Sequence, residues 1–259
     1  MPLHDAQAFV LRTYKLAEAD KICVLLTRES GKVRGVAYGA RKMKSRFGSS
    51  LEPFTEVAVT YFEKEGRDLA SISNAEIVAS HFNETAHSVI AGSAVSYLSD
   101  LLCEFLPDRE PNETVYRLVG ATVTALATST NTNAVVRYFE VWLLKLAGFY
   151  PELTACAGCR NATASGSTVW ISVDGSPRCE TCSGGRGIAV GPRLQTTLAR
   201  ILAEPPSLFA ANPPAPDHLD RLAEIALVIL RHSLERDLKS YALFNRMRRE
   251  IDKLPGESE

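Results

Sequence analysis

The sequence predicts a mixed α+β protein: an N-terminal β-barrel over residues 1–80, then a helical domain over residues 81–259. A four-cysteine, zinc-finger-like insertion at about residues 152–188 is predicted within the helical domain. Three observations lead to this fold class. Short β-branched or aromatic runs fill the first 80 residues, apolar residues recur with a helical period after His81, and two CxxC pairs then interrupt the helical pattern.

Composition excludes several broad classes of protein. The chain has 259 residues, of which 46% are hydrophobic and 23% are charged, and its formal net charge is -1. These values are typical of a soluble globular protein and not of a strongly basic nucleic-acid binder. No run approaches the roughly 18 apolar residues of a membrane-spanning helix, and the N-terminus lacks a signal-peptide pattern. We therefore expect a cytoplasmic protein whose thiols stay reduced, without a membrane partner.

Five segments of the N-terminal part have the composition of strands. They are AFVLRTY, KICVLLT, KVRGVAYG, TEVAVTYFE and DLASISNAEIV. Turn residues such as ESG and KEGRD separate them. Five short strands within about 75 residues predict a small closed or partly open barrel, of SH3-like or oligonucleotide/oligosaccharide-binding (OB) type.

Helices are predicted from apolar periodicity and from capping residues. Asn112, Asn133 and Asp217 are predicted to cap three of them, and Gly148 is the predicted stop of the helix that follows Asn133. The helical pattern is predicted to be interrupted over the proline-rich residues 204–217. The first predicted helix, which precedes the one capped by Asn112, carries one apolar face. This face is formed by Ile90, Ala94, Tyr97, Leu98, Leu101 and Phe105.

Four cysteines form the most specific local motif. Two CxxC pairs are separated by nineteen residues, and this spacing is typical of a structural zinc site with one ion per chain. Four thiolates leave no coordination position for a catalytic water, and no histidine lies in the segment. A redox pair or an iron-sulfur cluster are the alternatives. The predicted ligands are Cys156, Cys159, Cys179 and Cys182.

A basic stretch, KVRGVAYGARKMKSRFGS, is the second informative motif. Six basic residues and no acid lie between positions 32 and 46. In an extended conformation, alternate side chains would form a stripe suited to phosphate backbones. A solvated hairpin loop is the alternative. The predicted contacts are Lys32, Arg34, Arg41, Lys42, Lys44 and Arg46.

Several aromatic residues have two interpretations. Tyr38, Phe47 and Phe54 are candidates for stacking on bases, and each is equally suited to a barrel core. Between the cysteine pairs, Trp170 is flanked by arginines that could touch nucleic acid. A tryptophan in so small a module is more often part of its core.

Enzyme signatures are absent from the sequence. The segment ESGKV fails as a phosphate-binding loop because Leu26 replaces the required glycine and Val33 replaces the required Ser or Thr. The five histidines are scattered, and no GxSxG motif is present. We therefore expect no catalytic residues and no enzymatic activity.

Longer motifs carry a family resemblance over nearly the whole chain. They are GxxxGARKxKSR followed by LEPF, the segment RYFEVWLLKLAGF that leads into the cysteines, and a late LKSYALF. With this order of elements, the chain resembles the bacterial recombination mediators of the RecO family. The resemblance implies an OB barrel, binding of single- and double-stranded DNA, strand annealing, and loading of RecA with RecR onto strands coated by single-strand-binding protein (SSB). It implies no catalytic reaction.

The resemblance also implies roles for individual residues. The six basic residues match positions that contact the DNA backbone. Arg137 matches a position near the pocket for the acidic, apolar C-terminal tail of SSB, and Phe139 and Trp142 are candidates for its apolar wall. Tyr241 stands where relatives often carry arginine. Some relatives lack the cysteines, so the resemblance does not tie zinc to the shared activity.

The sequence therefore predicts a nonenzymatic mediator of DNA repair in the RecF pathway, in the cytoplasm and associated with the nucleoid. A regulatory or ribosome-associated RNA-binding protein with the same barrel and ribbon is the alternative. A metal-dependent nucleic-acid enzyme is a third class, which the missing carboxylate-histidine constellation disfavours.

Overall fold

A computed structural model describes residues 2–63, 66–86, 88–164, 166–234 and 236–251. The chain divides into two compact units. Unit 1 comprises residues 1–128 with 243–259, and unit 2 comprises residues 129–242.

Unit 1 begins with the five strands that the sequence predicted. They are β1 (Leu3–Leu16), β2 (Asp20–Thr27), β3 (Gly31–Ala37), β4 (Glu56–Phe62) and β5 (Ala70–Ala79). The strands close into an OB-like barrel in the order β1-β2-β3-β5-β4, in which only the β3–β5 pair is parallel. Closure pairs every strand on both sides over at least part of its length.

The barrel interior follows from the two-residue period of its strands. Alternate side chains point inwards, and each large apolar one contributes roughly 1.5–3 kcal/mol by leaving water. The inward set contains Ala8, Val10, Cys23, Leu25, Val33, Val57, Val59, Tyr61, Ala70 and Ile72.

Three helices belong to the same unit as the barrel: α1 (Phe82–Ala86), α2 (Val89–Phe105) and α3 (Glu113–Thr128). Arg12 of β1 forms an ion pair with Asp100 of α2. Phe9 contacts the ring of Tyr116 on α3, with centroids 4.9 Å apart. Asn112 caps α3 as predicted, through a 3.0 Å bond from the Val115 N–H. The compact unit therefore extends past residue 80, where the sequence placed a domain boundary.

Unit 2 contains α4 (Thr132–Leu146), α6 (Pro192–Ala203), α7 (Pro206–Ala211) and α8 (Pro216–Leu234), and α9 (Lys239–Ile251) begins there. Three details differ from the sequence predictions. Asn131, not Asn133, caps α4 by accepting from the Ala134 N–H. The proline-rich segment contains α7, because prolines favour first-turn positions. Asp217 lies inside the first turn of α8 and does not precede it. Gly148 ends α4 with a φ of 78°, as predicted.

The cysteine segment forms a small module in unit 2. It contains β6 (Val169–Ile171), β7 (Pro177–Arg178), the one-turn helix α5 (Glu180–Ser183) and β8 (Ile188–Val190). The three strands form an antiparallel sheet in the order β7-β6-β8. Among the described helices, none is long and apolar enough to cross a membrane.

Candidate nucleic-acid interface and metal centre

The basic residues lie mainly on the long connection between β3 and β4, here called the basic loop (residues 38–55). Strand β3 ends at Ala37, and the loop that follows is a series of turns. The alternating stripe predicted for an extended chain therefore does not continue past β3. Arg41, Lys42, Lys44 and Arg46 are nevertheless all exposed on this loop.

Apolar residues hold the basic loop against the barrel. Phe47 and Leu51 are buried in the barrel core, and Phe54 is buried beside Val10, whose carbonyl accepts its N–H at 2.7 Å. Phe47 and Phe54 are thus core residues, each 3% exposed. Because these anchors fix the backbone, little ordering entropy is left to lose when the exposed cations meet a ligand.

Polar contacts fix the first part of the basic loop to the β1–β2 turn. The Gly39 N–H donates to Asp20 Oδ1 at 2.8 Å, and the Arg41 guanidinium donates to the carbonyls of Ala17 and Glu18 at 3.1 and 2.7 Å. Gly39 has a φ of 72°, a conformation that favours glycine. Part of the Arg41 guanidinium therefore holds the loop in place, and fewer of its N–H groups remain for a ligand.

The remaining basic side chains have different environments. The Arg46 guanidinium lies 4.9 Å from the centroid of the Phe47 ring. Arg34 is exposed on β3, and Tyr38 at the start of the loop is 51% exposed. Within the described ranges, Arg34, Lys42 and Lys44 form no ion pair. This cluster can bind phosphates electrostatically, with Tyr38 available to stack on a base.

Lys32 is placed elsewhere. Its side chain is 10% exposed, and its ammonium donates to the carbonyls of Cys103 and Leu106, each at 2.7 Å. Asp108 lies 3.2 Å away. These carbonyls end α2, so the cation satisfies backbone acceptors that the helix leaves unpaired and complements the helix dipole. Lys32 points away from the barrel core, as the alternation of side chains along β3 predicts. The segment that follows α2 covers its side chain there, so Lys32 is not a surface cation.

The four cysteines converge as their spacing predicted. Their Sγ atoms all lie within 4.8 Å of one another, and Sγ of Cys159 is 3.9 Å from Sγ of Cys179. A tetrahedral ion with 2.3 Å bonds to sulfur separates its ligands by about 3.8 Å. The donor set therefore fits a single metal ion.

Hydrogen bonds shift the pKa values of two thiols in the cysteine site in opposite directions. Hydrogen bonds from backbone N–H groups, first that of Cys179, lower the pKa of the Cys156 thiol to about 6. Hydrogen bonding with the side chains of Cys179, Cys156 and Cys159 raises the pKa of the Cys182 thiol to about 12. A Cβ atom at Gly158 would lie 3.2 Å from Cys182 Sγ, so a side chain at this position would crowd the cysteine cluster. A bound cation would favour deprotonation of all four thiols.

The two other cysteines lie outside this cluster. Burial raises the pKa of the Cys23 thiol to about 12 and that of Cys103 to about 11. Both therefore stay protonated near neutral pH and behave as packing residues.

Arg137 lies in the interior of the structure. It is on α4, its side chain is 2% exposed, and its Nη1 atom is 2.8 Å from Oε2 of Glu140, which is 1% exposed. Phe139 is fully buried, and Trp142 donates its indole N–H to the Ile201 carbonyl at 2.8 Å. The apolar groove expected around Phe139 is therefore not open.

An open cavity of about 450 Å³ lies instead along α4, and sequence reasoning missed it. Val141, Leu198 and Leu202 supply part of its apolar wall. Lys145 also lines the cavity, and its Nζ atom is 3.2 Å from Oε1 of Glu152. Its lining comes from α4, the cysteine segment and α6, which are distant in sequence. The only local sequence feature that pointed to this cavity was Lys145, a lysine near the end of an apolar helix.

Comparisons with known proteins find one family over nearly the whole chain. The family described as "Recombination protein O N terminal" matches residues 1–81, and "Recombination protein O C terminal" matches residues 87–242. The chain is 31% identical to the DNA repair protein RecO of Koribacter versatilis over 250 residues, covering 95% of this chain and 99% of that one. It is 33% identical to the DNA repair protein RecO of a Nocardioides species over 249 residues, covering 94% and 100%.

Proposed function

The chain belongs to the recombination protein O family, and on that premise we propose that it is a nonenzymatic mediator of DNA repair and recombination in the RecF pathway. It binds single- and double-stranded DNA, anneals complementary strands, and helps RecR to load RecA onto strands coated by SSB. Such a protein acts at the chromosome, in the cytoplasm and in association with the nucleoid.

The basic loop carries this proposal. Lys42, Lys44 and Arg46 are exposed on a backbone that Phe47 and Leu51 anchor in the barrel. Cations held in this way bind phosphates without reading base sequence, and neutralising two backbones reduces the repulsion that opposes annealing. We include Arg34 and Arg41 in the interface. Lys32 is left out because its ammonium caps α2.

Replacing Lys42, Lys44 and Arg46 with alanine should weaken DNA binding and reduce its salt dependence. Each phosphate contact on a single strand contributes about 0.7 to the slope of log K against log salt, so three lost contacts lower the slope by about 2. Fluorescence anisotropy of a labelled oligonucleotide at several salt concentrations measures this change.

The matched control removes three exposed cations from unit 2, Arg231, Arg236 and Lys239. We expect this control to keep the wild-type slope. An unchanged slope in the loop variant would contradict the assignment. An annealing assay with matched DNA and RNA strands tests the class of nucleic acid, and a preference for RNA would favour the RNA-binding alternative.

The metal is proposed to be a single structural zinc ion held by Cys156, Cys159, Cys179 and Cys182. The fit of the sulfur positions to one tetrahedral ion supports this assignment over a larger iron-sulfur cluster. Zinc would link the two CxxC turns across the small sheet. Its four protein ligands leave no position for a reacting water.

The acidic, apolar C-terminal tail of SSB is proposed to bind along α4. Because Arg137 is buried against Glu140, we assign it to holding the helix in place. The cavity along the same helix offers apolar walls, and Lys145 offers a cation for a terminal carboxylate. The proposed contact residue is therefore Lys145.

A further inference from the structure

The outer face of the cysteine module brings an aromatic ring and a cation together. In its sheet, Trp170 on β6 is paired with Arg178 on β7 and with Ala189 on β8. Val169 and Ile171, the neighbours of Trp170 along β6, are each 1% exposed. Because side chains alternate along a strand, Trp170 lies on the opposite face of the sheet. It is partly exposed, so it is not simply the core of the module.

Both members of the Trp170–Arg178 pair have an N–H group without an acceptor. The indole Nε1 of Trp170 and the Nε of Arg178 are buried atoms with no hydrogen-bond partner in the described part of the chain. Arg178 forms an ion pair with Asp174, but the distance from Nη2 to Oδ2 is long, at 3.6 Å. Buried donors without acceptors are unfavourable in a folded protein, so the described side chains of the module leave this pair unsatisfied.

Arginines outnumber acids along the sequence of the cysteine module. Between Cys156 and Leu194 the chain has four arginines and two acids, Asp174 and Glu180. Arg160, Arg186 and Arg193 are exposed, and none forms an ion pair with any described residue. Arg178 is the fourth arginine of this set.

The face continues from the sheet into a second open cavity. Ala189, the cross-strand neighbour of Trp170, lines this cavity of about 450 Å³ together with Arg193, His218 and Arg221. One acid, Asp217, also lines it. The sheet face and the adjoining cavity thus combine an aromatic ring with cations, a combination typical of surfaces that bind single strands.

We propose that this face of unit 2 is a second binding surface for single-stranded nucleic acid, where a base stacks on Trp170 and Arg178 and Arg193 hold the phosphates. The proposal rests on the proposed function, because annealing needs a place for a second strand. Stacking on a side chain requires an unstacked base, which a single strand provides and an intact duplex does not. An acidic peptide would use the arginines alone and would leave Trp170 without a role.

Tryptophan fluorescence tests the proposal directly. The chain has two tryptophans, so Trp142→Phe leaves Trp170 as the single indole fluorophore. This zinc-loaded protein is titrated with a fluorescein-labelled oligothymidylate, and binding is followed both by anisotropy of the label and by Trp170 emission. We expect saturable quenching of Trp170, because a stacked base removes excitation energy from the indole.

The arginines are tested in the same Trp142→Phe protein. Replacing Arg178 and Arg193 with glutamine should weaken the binding detected by Trp170 at least fivefold and lower its salt slope by about 1.4. Arg231→Gln removes an exposed cation from the far end of α8 and should change neither value. Zinc content and circular dichroism establish that each variant is folded.

The outcomes separate this proposal from the function on which it rests. If anisotropy shows binding while Trp170 emission stays constant, or if the arginine pair has no effect, the second surface is wrong and the basic loop alone accounts for binding. Without any rise in anisotropy, both proposals fail. Quenching that depends on Arg178 and Arg193 supports the second surface.

Discussion

Replacing Glu140 with alanine should lower the free energy of unfolding of unit 2 by about 3–5 kcal/mol. The side chains of Arg137 and Glu140 are almost fully buried and 2.8 Å apart, so removing either one breaks a buried ion pair. Arg137→Ala should have an effect of similar size. Urea unfolding followed by circular dichroism measures both changes.

A double replacement distinguishes a buried ion pair from simple loss of packing. Changing Arg137 to Met and Glu140 to Leu removes both charges and keeps apolar volume, so the variant should be much more stable than either single alanine variant. Lys145→Ala is the control, because it breaks an exposed pair on the same helix and should cost about 1 kcal/mol or less. Near-additive single and double effects would contradict the assignment.

This stability effect changes how binding of SSB should be tested. Loss of SSB capture by Arg137→Ala would follow from unfolding alone, whatever the tail contacts. Lys145→Ala should reduce capture of full-length SSB while the protein stays folded, and SSB without its tail should not be captured by either protein. Wild-type capture by Lys145→Ala would exclude the cavity along α4 as the contact.

Replacing Cys159 with serine should abolish stable metal binding and unfold the cysteine module. In small zinc domains, metal binding contributes roughly 10–16 kcal/mol, most of which is folding free energy. The module has only short strands and one helical turn to replace that contribution. We expect the zinc content to fall from about one per chain, and residues 152–188 to become sensitive to protease.

The control for this prediction is Cys103→Ser, which alters a thiol outside the cluster and should leave the zinc content unchanged. In the Cys159→Ser variant, DNA binding through the basic loop should persist because the loop is anchored in the barrel, whereas the contribution of Arg178 and Arg193 to the salt slope should be lost. A wild-type protein with less than about half a zinc per chain, in the absence of thiol oxidation, would be evidence against the four-thiolate site.

Local features of the fold were predictable because their causes are local. The period of two in the barrel strands, Asn112 at the start of α3 and Gly148 at the end of α4 follow from residues close together in sequence. Predictions failed where nearby residues compete. Asn131 and Asn133 are both suitable caps, and Asn131 caps α4. Short helix α7 lies in a segment whose prolines also favour turns.

The candidate sites divide in the same way. Cysteine spacing alone predicted which four sulfurs converge, because each CxxC turn places two sulfurs together and the module is short. The length of the basic run and its lack of acids also indicated a phosphate-binding surface. Sequence could not assign Lys32 or Arg137, since each is a cation whose role depends on burial.

By itself the sequence determined the order of barrel, helices and cysteine module, the four cysteines that converge, and the family. Only the tertiary structure decided which cations face solvent. Lys32 is 71 residues from Cys103, whose carbonyl it caps, and the covering of Arg137 likewise depends on folding of the chain around α4. Pattern and spacing act over a few residues, whereas burial is a property of the whole packed chain, and burial decides whether a charge binds a ligand or holds the fold.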